Sequence, residues 1–265
     1  MGKEGNNKNE TNLFYTEYAK CERDESKELK QIENAKVKSR IFTNLAHDLK
    51  TPIAVIESAV QMMEKDFELD QNERESSMRR HLSFVKYNTS ALIRMIKNIT
   101  MICSMESGNY ILEKQNCNII SVIENKVMSM IPYAQHRNIS IIFDTEIEEQ
   151  YMECDIDKIE AIIQNLISNA IKYGMSNGYI KVDIRCKDES IHIMVEDNGK
   201  GISEHNQNNI FDRYSRGEGI DMGCCEGSGI GLYVVKTIVE MHKGDIKLKS
   251  DIGKGSIFEI KLPII

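Results

Sequence analysis

From Phe14 onward, apolar side chains return at alternating steps of four and three. They are Phe14, Tyr18 and Cys21, then, past the polar Glu25 and Glu28, Ile32 and Ala35, then, past the polar Ser39, Phe42, Ala46, Leu49, Ile53, Ile56, Val60, Met63 and Phe67. A seven-residue repeat holds one stripe of a helix against a partner, so this run predicts a long helix with a coiled-coil seam. Pro52 falls inside the run and predicts a kink instead of an end, because the repeat continues beyond it. The polar patch Glu68 to Ser77 breaks the pattern. A second seam follows at Met78, Leu82, Val85, Thr89, Leu92, Ile96, Ile99 and Cys103, and stops near Ser107 and Gly108. Two such helices on a short connection make an antiparallel hairpin with an open apolar stripe. Two copies pairing into a four-helix bundle would cover it, so a homodimer is expected.

Past Gly108 the periodicity shortens. Strand patterns occur at Ile139 to Phe143, Tyr179 to Cys186, Ser190 to Val195, Asp245 to Ser250 and Ser256 to Leu262. They alternate with helical patterns at Ile119 to Met130, Ile156 to Tyr173 and Leu232 to His242. Several strands alternate apolar with polar, which predicts a sheet with helices on one face and solvent on the other. The expected fold is α+β: an N-terminal helical hairpin, then an α/β sandwich. The divisions are a disordered polar start at 1–13, a linking helix at 14–39, the hairpin at 40–110 and the sandwich at 117–265. The polar seam positions Glu25, Glu28 and Ser39 make the linking helix the weak part of the coiled coil.

Composition narrows this picture. A chain of 265 residues, 41% hydrophobic, supports two modest cores. Its net charge of −7 argues against a nucleic-acid partner. No apolar run approaches the ~18–20 residues that cross a bilayer, and the polar start carries no signal peptide. The expectation is a cytoplasmic protein, or the cytoplasmic portion of a membrane-bound sensor. Seven cysteines without a CxxC pair suggest neither a zinc site nor a disulfide framework, and reduced thiols are expected.

Candidate chemistry lies in four segments. In Phe42 to Pro52, Ala46 and Leu49 occupy the seam, so His47 stands beside it facing solvent, with Thr51 four residues on along the same face. A neutral imidazole nitrogen is a nucleophile near pH 7, and the neighbouring Asp48 carboxylate is suited to hold its other N–H and take its proton. A single exposed histidine on a helix is commonplace, so this segment alone decides nothing. Asn165, Asn169, Lys172 and Tyr173 sit at spacings of four, three and one on a predicted helix. They offer amide oxygens for a hard cation such as Mg2+, a cation for phosphate and a ring to stack on a base. Asp197, Gly199 and Gly201 follow a predicted strand, giving an acceptor for an exocyclic amine beside a tight turn. Gly227, Gly229 and Gly231 open a helix, where backbone N–H groups approach phosphate. Neither the GxxxxGK[ST] loop nor the dinucleotide fingerprint is present.

Taken in order, these segments resemble the sensor histidine kinases of two-component systems from about Ser39 to Pro263. The His47 segment looks like the family's H box, Asn165 to Tyr173 its N box, and Asp197 to Gly201 and Gly227 to Leu232 its glycine boxes. Ile210 to Tyr214 looks like its F box, and Gly253 to Ser256 its final glycine turn. The resemblance implies a dimerisation and phosphotransfer hairpin before a Bergerat-type ATP-binding domain. It implies ATP and Mg2+ as cofactors, His47 as phosphoacceptor and Asp48 as its general base. Asn169 would hold Mg2+, Asn165 would support the phosphates, Lys172 would contact phosphate and Tyr173 would pack beside adenine. Asp197 would bind the adenine amino group with help from Ser256 through water. Arg216, with Arg213 the alternative, would steady the γ-phosphate, and Asp212 to Glu226 would be a mobile lid. Phosphate would pass to an aspartate of a response regulator, and Thr51 implies phosphatase action on that partner. Ser228 and Ser215 depart mildly from the pattern. The competing readings are another ATPase or serine kinase of the same superfamily, and a nucleotide-binding scaffold without catalysis.

Overall fold

In the computed structural model, residue 43 and residues 46–68, 70–106, 110–213 and 229–264 are described. The chain divides into two units between His47 and Asp48. In the first, Thr43, Ala46 and His47 are helical and exposed. The seam expected from Phe14 to Phe42 lies outside the described residues.

The second unit opens with helix α1 (48–65), which stays helical through Pro52. A single 3-10 turn, Asp66–Glu68, leads to helix α2, Gln71–Glu106. The turn is held by polar side chains: Ser77 Oγ donates to one oxygen of buried Asp66 at 2.9 Å, and His81 Nδ1 lies 2.9 Å from the other. Ser77 and His81 are one helical turn apart on α2, so both reach the same carboxylate. The seam positions are much less covered. Ile53 is 52% exposed, Phe67 63% and Ile96 55%.

The rest is a sheet under a helical layer. Strand β1 (Gln115–Asn118) precedes helix α3 (Ile119–Gln135), then β2 (Ser140–Thr145), β3 (Tyr151–Cys154) and helix α4 (Ile156–Tyr173). Strands β4 (Tyr179–Lys187) and β5 (Ser190–Asp197), the single turn α5 (Glu204–Gln207), helix α6 (Gly231–Met241) and strands β6 (Asp245–Asp251) and β7 (Gly255–Pro263) complete it. The main sheet runs in the order β2-β4-β5-β7-β6, with β2 parallel to β4 and the other neighbours antiparallel. Strands β1 and β3 form a separate antiparallel pair.

Alternation along the strands builds the core. Register sets Ile184, Ile193 and Ile260 in one rung and Val182, Val195 and Phe258 in the next, all buried. Against them α4 lays Ile159, Ile162, Ile163, Leu166 and Ile167, and α6 lays Val234, Val235, Ile238 and Val239, likewise buried. Each such side chain removed from water stabilises the fold by about 1.5–3 kcal/mol. The opposite face is charged: Lys181 pairs with Asp144 at 3.2 Å and with Asp183 at 3.3 Å, and Arg185 pairs with Asp183 at 2.8 Å. The fold class read from the sequence, a helical hairpin followed by an α/β sandwich, is the fold observed. The reading missed β1 and β3, which are only four residues each; β1 is largely polar, and β3 buries Met152 and Cys154.

Candidate functional site

The core-facing rungs turn polar at one end of the sheet. Two residues past Val195 and Phe258 on the same face stand Asp197 and Ser256, paired in register, with Ser250 facing Ser256 across β6. Period-two geometry therefore aims the Asp197 side chain toward the helical layer. Its Oδ1 accepts the Gly199 N–H at 2.8 Å. Burial pushes the Asp197 carboxyl above its ordinary value, against the Gly199 and Ser256 backbone N–H groups that favour its charge. Ser256 is buried, and its Oγ lies 3.0 Å from Ser250 Oγ.

Helix α4 brings the second group to the same end. Its N-cap is Asp155, whose side chain accepts the Lys158 N–H at 3.2 Å. Asn165 interrupts the apolar stripe and is buried. Its Nδ2 donates to the Ala161 carbonyl at 2.8 Å, and its Oδ1 accepts from Asn98 of α2 at 3.4 Å. Gly231, the first residue of α6, faces that amide: a Cβ there would lie 3.0 Å from Asn165 Oδ1. Asn169, one turn further on, is half-buried. At the last turn Lys172 Nζ lies 3.1 Å from the Tyr173 hydroxyl and 4.7 Å from the centre of its ring.

Backbone ties fasten the turn after β5 to both neighbours. The Lys200 N–H donates to the Tyr173 carbonyl at 3.2 Å, and the Gly253 N–H to the Lys200 carbonyl at 2.8 Å. Gly201 has φ of +70°, and a Cβ there would lie 1.9 Å from the Asp251 carbonyl oxygen, so no larger residue fits. Phe211 meets Phe258 edge-on at 6.3 Å, anchoring the segment that follows α5. Arg213 stacks 4.6 Å above the Tyr233 ring of α6.

Asp197, Gly199, Gly201 and Ser256 thus share one sheet end with the C-terminal turn of α4, while the start of α6 faces Asn165, two turns earlier on α4; Gly229, just before α6, has φ of +63°. His47 is exposed on its helix, Asp48 is buried and Thr51 is half-buried. Arg216, Gly227, the lid from Tyr214 and the pair Cys224 and Cys225 lie outside the described residues. Sequence reasoning missed Asn98, whose contact with Asn165 carries no local signal. It also missed Asn198, whose side chain accepts the Tyr179 N–H at 2.8 Å and was legible only as the middle of the Asp197 turn.

Two family descriptions match the chain: the His Kinase A (phospho-acceptor) domain over residues 37–108, and the histidine kinase-, DNA gyrase B- and HSP90-like ATPase over residues 154–265. Among curated proteins, Histidine kinase P4 of Formosa agariphila is 28% identical over 88% of this chain, which spans 17% of that protein. Sensor histidine kinase YcbM of Bacillus subtilis is 29% identical over 84% of this chain and 70% of its own length. A solved structure of histidine kinase ThkA in complex with response regulator protein TrrA aligns with a TM-score of 0.58 and 22% identity. That alignment covers 88% of this chain and 64% of that one. The chain belongs to the sensor histidine kinases of two-component systems. It spans less than a fifth of the first two curated relatives it matches, 17% and 15% of their lengths.

Proposed function

We propose that this chain is an ATP-dependent protein-histidine kinase that phosphorylates its own His47. Support comes from the pairing of Asp197 with Ser256 at the end of β5 and β7, the tie from Lys200 to Tyr173 beside Lys172, and the approach of Gly231 to the Asn165 amide, all inside the segment that matches the ATPase family. A half-buried carboxylate that has lost water gains from a donor, and the exocyclic amine of adenine is such a donor. Tyr173 packs beside the base. The Asn165 amide and the start of α6 face the phosphates, and Lys172 answers their charge.

The side chains fit Mg2+ held mainly by phosphate and water. Among the described residues no three His, Cys, Asp or Glu side chains gather into a cage, and Asn169 offers one hard amide oxygen. When bound, the ion neutralises charge on the phosphates. His47 attacks the γ-phosphorus in line, the bond to the β,γ-bridging oxygen breaks, ADP leaves, and Asp48 takes the imidazole proton. Arg216 steadies the transferred group. The phosphate then passes to an aspartate of a response regulator, a partner supported by the ThkA complex. Thr51, four residues beyond His47, orients a water that attacks the phosphorus of the partner's aspartyl phosphate, freeing the carboxylate and inorganic phosphate. The exposed seam on α1 and α2 is covered by a second copy, making a homodimer, and the kinase works in the cytoplasm.

The test is incubation with γ-labelled ATP and Mg2+, beside His47→Gln and Asn169→Ala. Acid-labile, base-stable label that both substitutions abolish is the expected result. Label that survives His47→Gln would overturn the assignment.

A further inference from the structure

Two cysteines that the kinase reading does not use stand against each other in the small β1–β3 sheet. Cys117 Sγ and Cys154 Sγ are 3.0 Å apart, both as free thiols. In register Cys117 faces Met152, and Cys154 faces Gln115, so the two are diagonal neighbours on one face of the pair. Nothing intervenes between the sulfurs, and a disulfide needs them about 2.05 Å apart. Their environments differ. Cys154 is fully buried, whereas Cys117 is partly exposed. The position matters as well: β1 is the first strand after the hairpin, and Cys154 immediately precedes Asp155, the N-cap of α4. The Glu113 N–H, just before β1, donates to the Asp155 carboxylate at 3.1 Å.

We propose that Cys117 and Cys154 form an oxidation site that a low-molecular-weight disulfide closes, pinning β1 to β3. Cys117, the reachable thiol, attacks one sulfur of the oxidant as its thiolate, and a thiolate leaves with the other half. The sulfur of Cys154 then displaces the second half from Cys117. Two protein thiols are oxidised to one Cys117–Cys154 disulfide, one small disulfide is reduced to two thiols, and the Cys154 proton goes to the second leaving thiolate. Burial, first, and the hydrogen bond with Cys117 push the Cys154 thiol well above its ordinary range, which makes it the resolving partner and not the attacking one. The site depends on no nucleotide chemistry and stands apart from the kinase reading.

The experiment treats the reduced full chain with oxidised glutathione, blocks the remaining thiols and maps peptides without reduction. A peptide joining Cys117 to Cys154 is expected, present in Cys103→Ser and Cys186→Ser and absent in Cys117→Ser and Cys154→Ser. Glutathione retained on Cys117 with Cys154 free, pairing of either with another cysteine, or no change would each overturn the proposal. Amide hydrogen exchange keeps the consequence separately testable. In the wild-type chain, exchange across 116–118 should slow on the order of tenfold or more on oxidation. Equal exchange in the oxidised and reduced forms would mean that β1 is not pinned.

Discussion

The hairpin and the sandwich bury their apolar side chains to very different degrees. In the sandwich the large core residues, among them Ile159, Ile163, Ile184, Ile193 and Ile260, are fully covered within one chain. In the hairpin the seam residues Ile53, Val60, Leu82 and Ile96 remain roughly half exposed. The same residue type thus does two jobs. Where a sheet and three helices surround it, isoleucine closes a core. On a two-helix hairpin it leaves a stripe half exposed in the single chain. One region closes its core within a single chain and matches the ATPase family, while the other leaves its stripe open and matches the phospho-acceptor family.

The largest expected effect separates these roles. His47→Gln should remove all histidine label while leaving nucleotide-dependent thermal stabilisation of the sandwich unchanged. Loss of that stabilisation would show that the two regions are not independent. Asp197→Asn makes the opposite cut. Nucleotide affinity should fall roughly 10- to 100-fold, the loss expected for one hydrogen bond to a charged group. Stability at neutral pH should hold or rise. The Asp197 pKa is raised in the fold, so the ionised form is a penalty that appears as pH rises through the carboxylate range and persists above it. Denaturant melts with and without nucleotide read both effects, and a destabilised but tightly binding variant would count against the assignment.

Packing substitutions sharpen the contrast. Ile163→Ala, in the covered layer, should cost about 2–5 kcal/mol of unfolding free energy. Ile96→Glu, on the half-exposed stripe, should leave the sandwich melt within about 0.5 kcal/mol. It should weaken self-association about tenfold or more by sedimentation. If Ile96→Glu melts the sandwich while the oligomeric state is unchanged, the stripe is not an interface.

Much of this division was legible in the residue order because periodicity is a local signal. The switch from steps of three and four to steps of two marked the end of the hairpin, and Asp197 was read just past a predicted strand, whereas Ser256 entered only through the family resemblance. What escaped was non-local or weakly patterned. The strand Gln115–Asn118 holds three polar residues and a cysteine, so no period reveals it, and its pairing with β3 depends on a partner more than thirty residues away. Asn98 looks like any polar residue on a helix until α2 and α4 meet. Asp66 and His81 flank the patch that broke the heptad and Ser77 closes it, and only the folded turn shows that the three are polar because they bond one another.

The smallest effect concerns how the start of α4 is held to the end of α6. His242, at the C-terminal end of α6, is buried. Its Nε2 accepts the Asp155 N–H at 3.2 Å, and its Nδ1 lies 2.9 Å from the Ile238 carbonyl, to which it donates. That ring is neutral, with its proton on Nδ1, since a proton on Nε2 would face another donor. Burial, above all, holds its pKa below the ordinary 6.5. As pH falls from 6.5 toward that lowered value, the unfolded chain takes up a proton that the fold refuses, so stability is lost across this window. His242→Gln retains an acceptor for the Asp155 N–H and cannot titrate. It should start about 1–2 kcal/mol less stable at pH 7.5, yet lose less than the wild type between pH 7.5 and 5.5 in urea melts. Parallel curves for the two proteins would remove His242 as the source of the acid sensitivity.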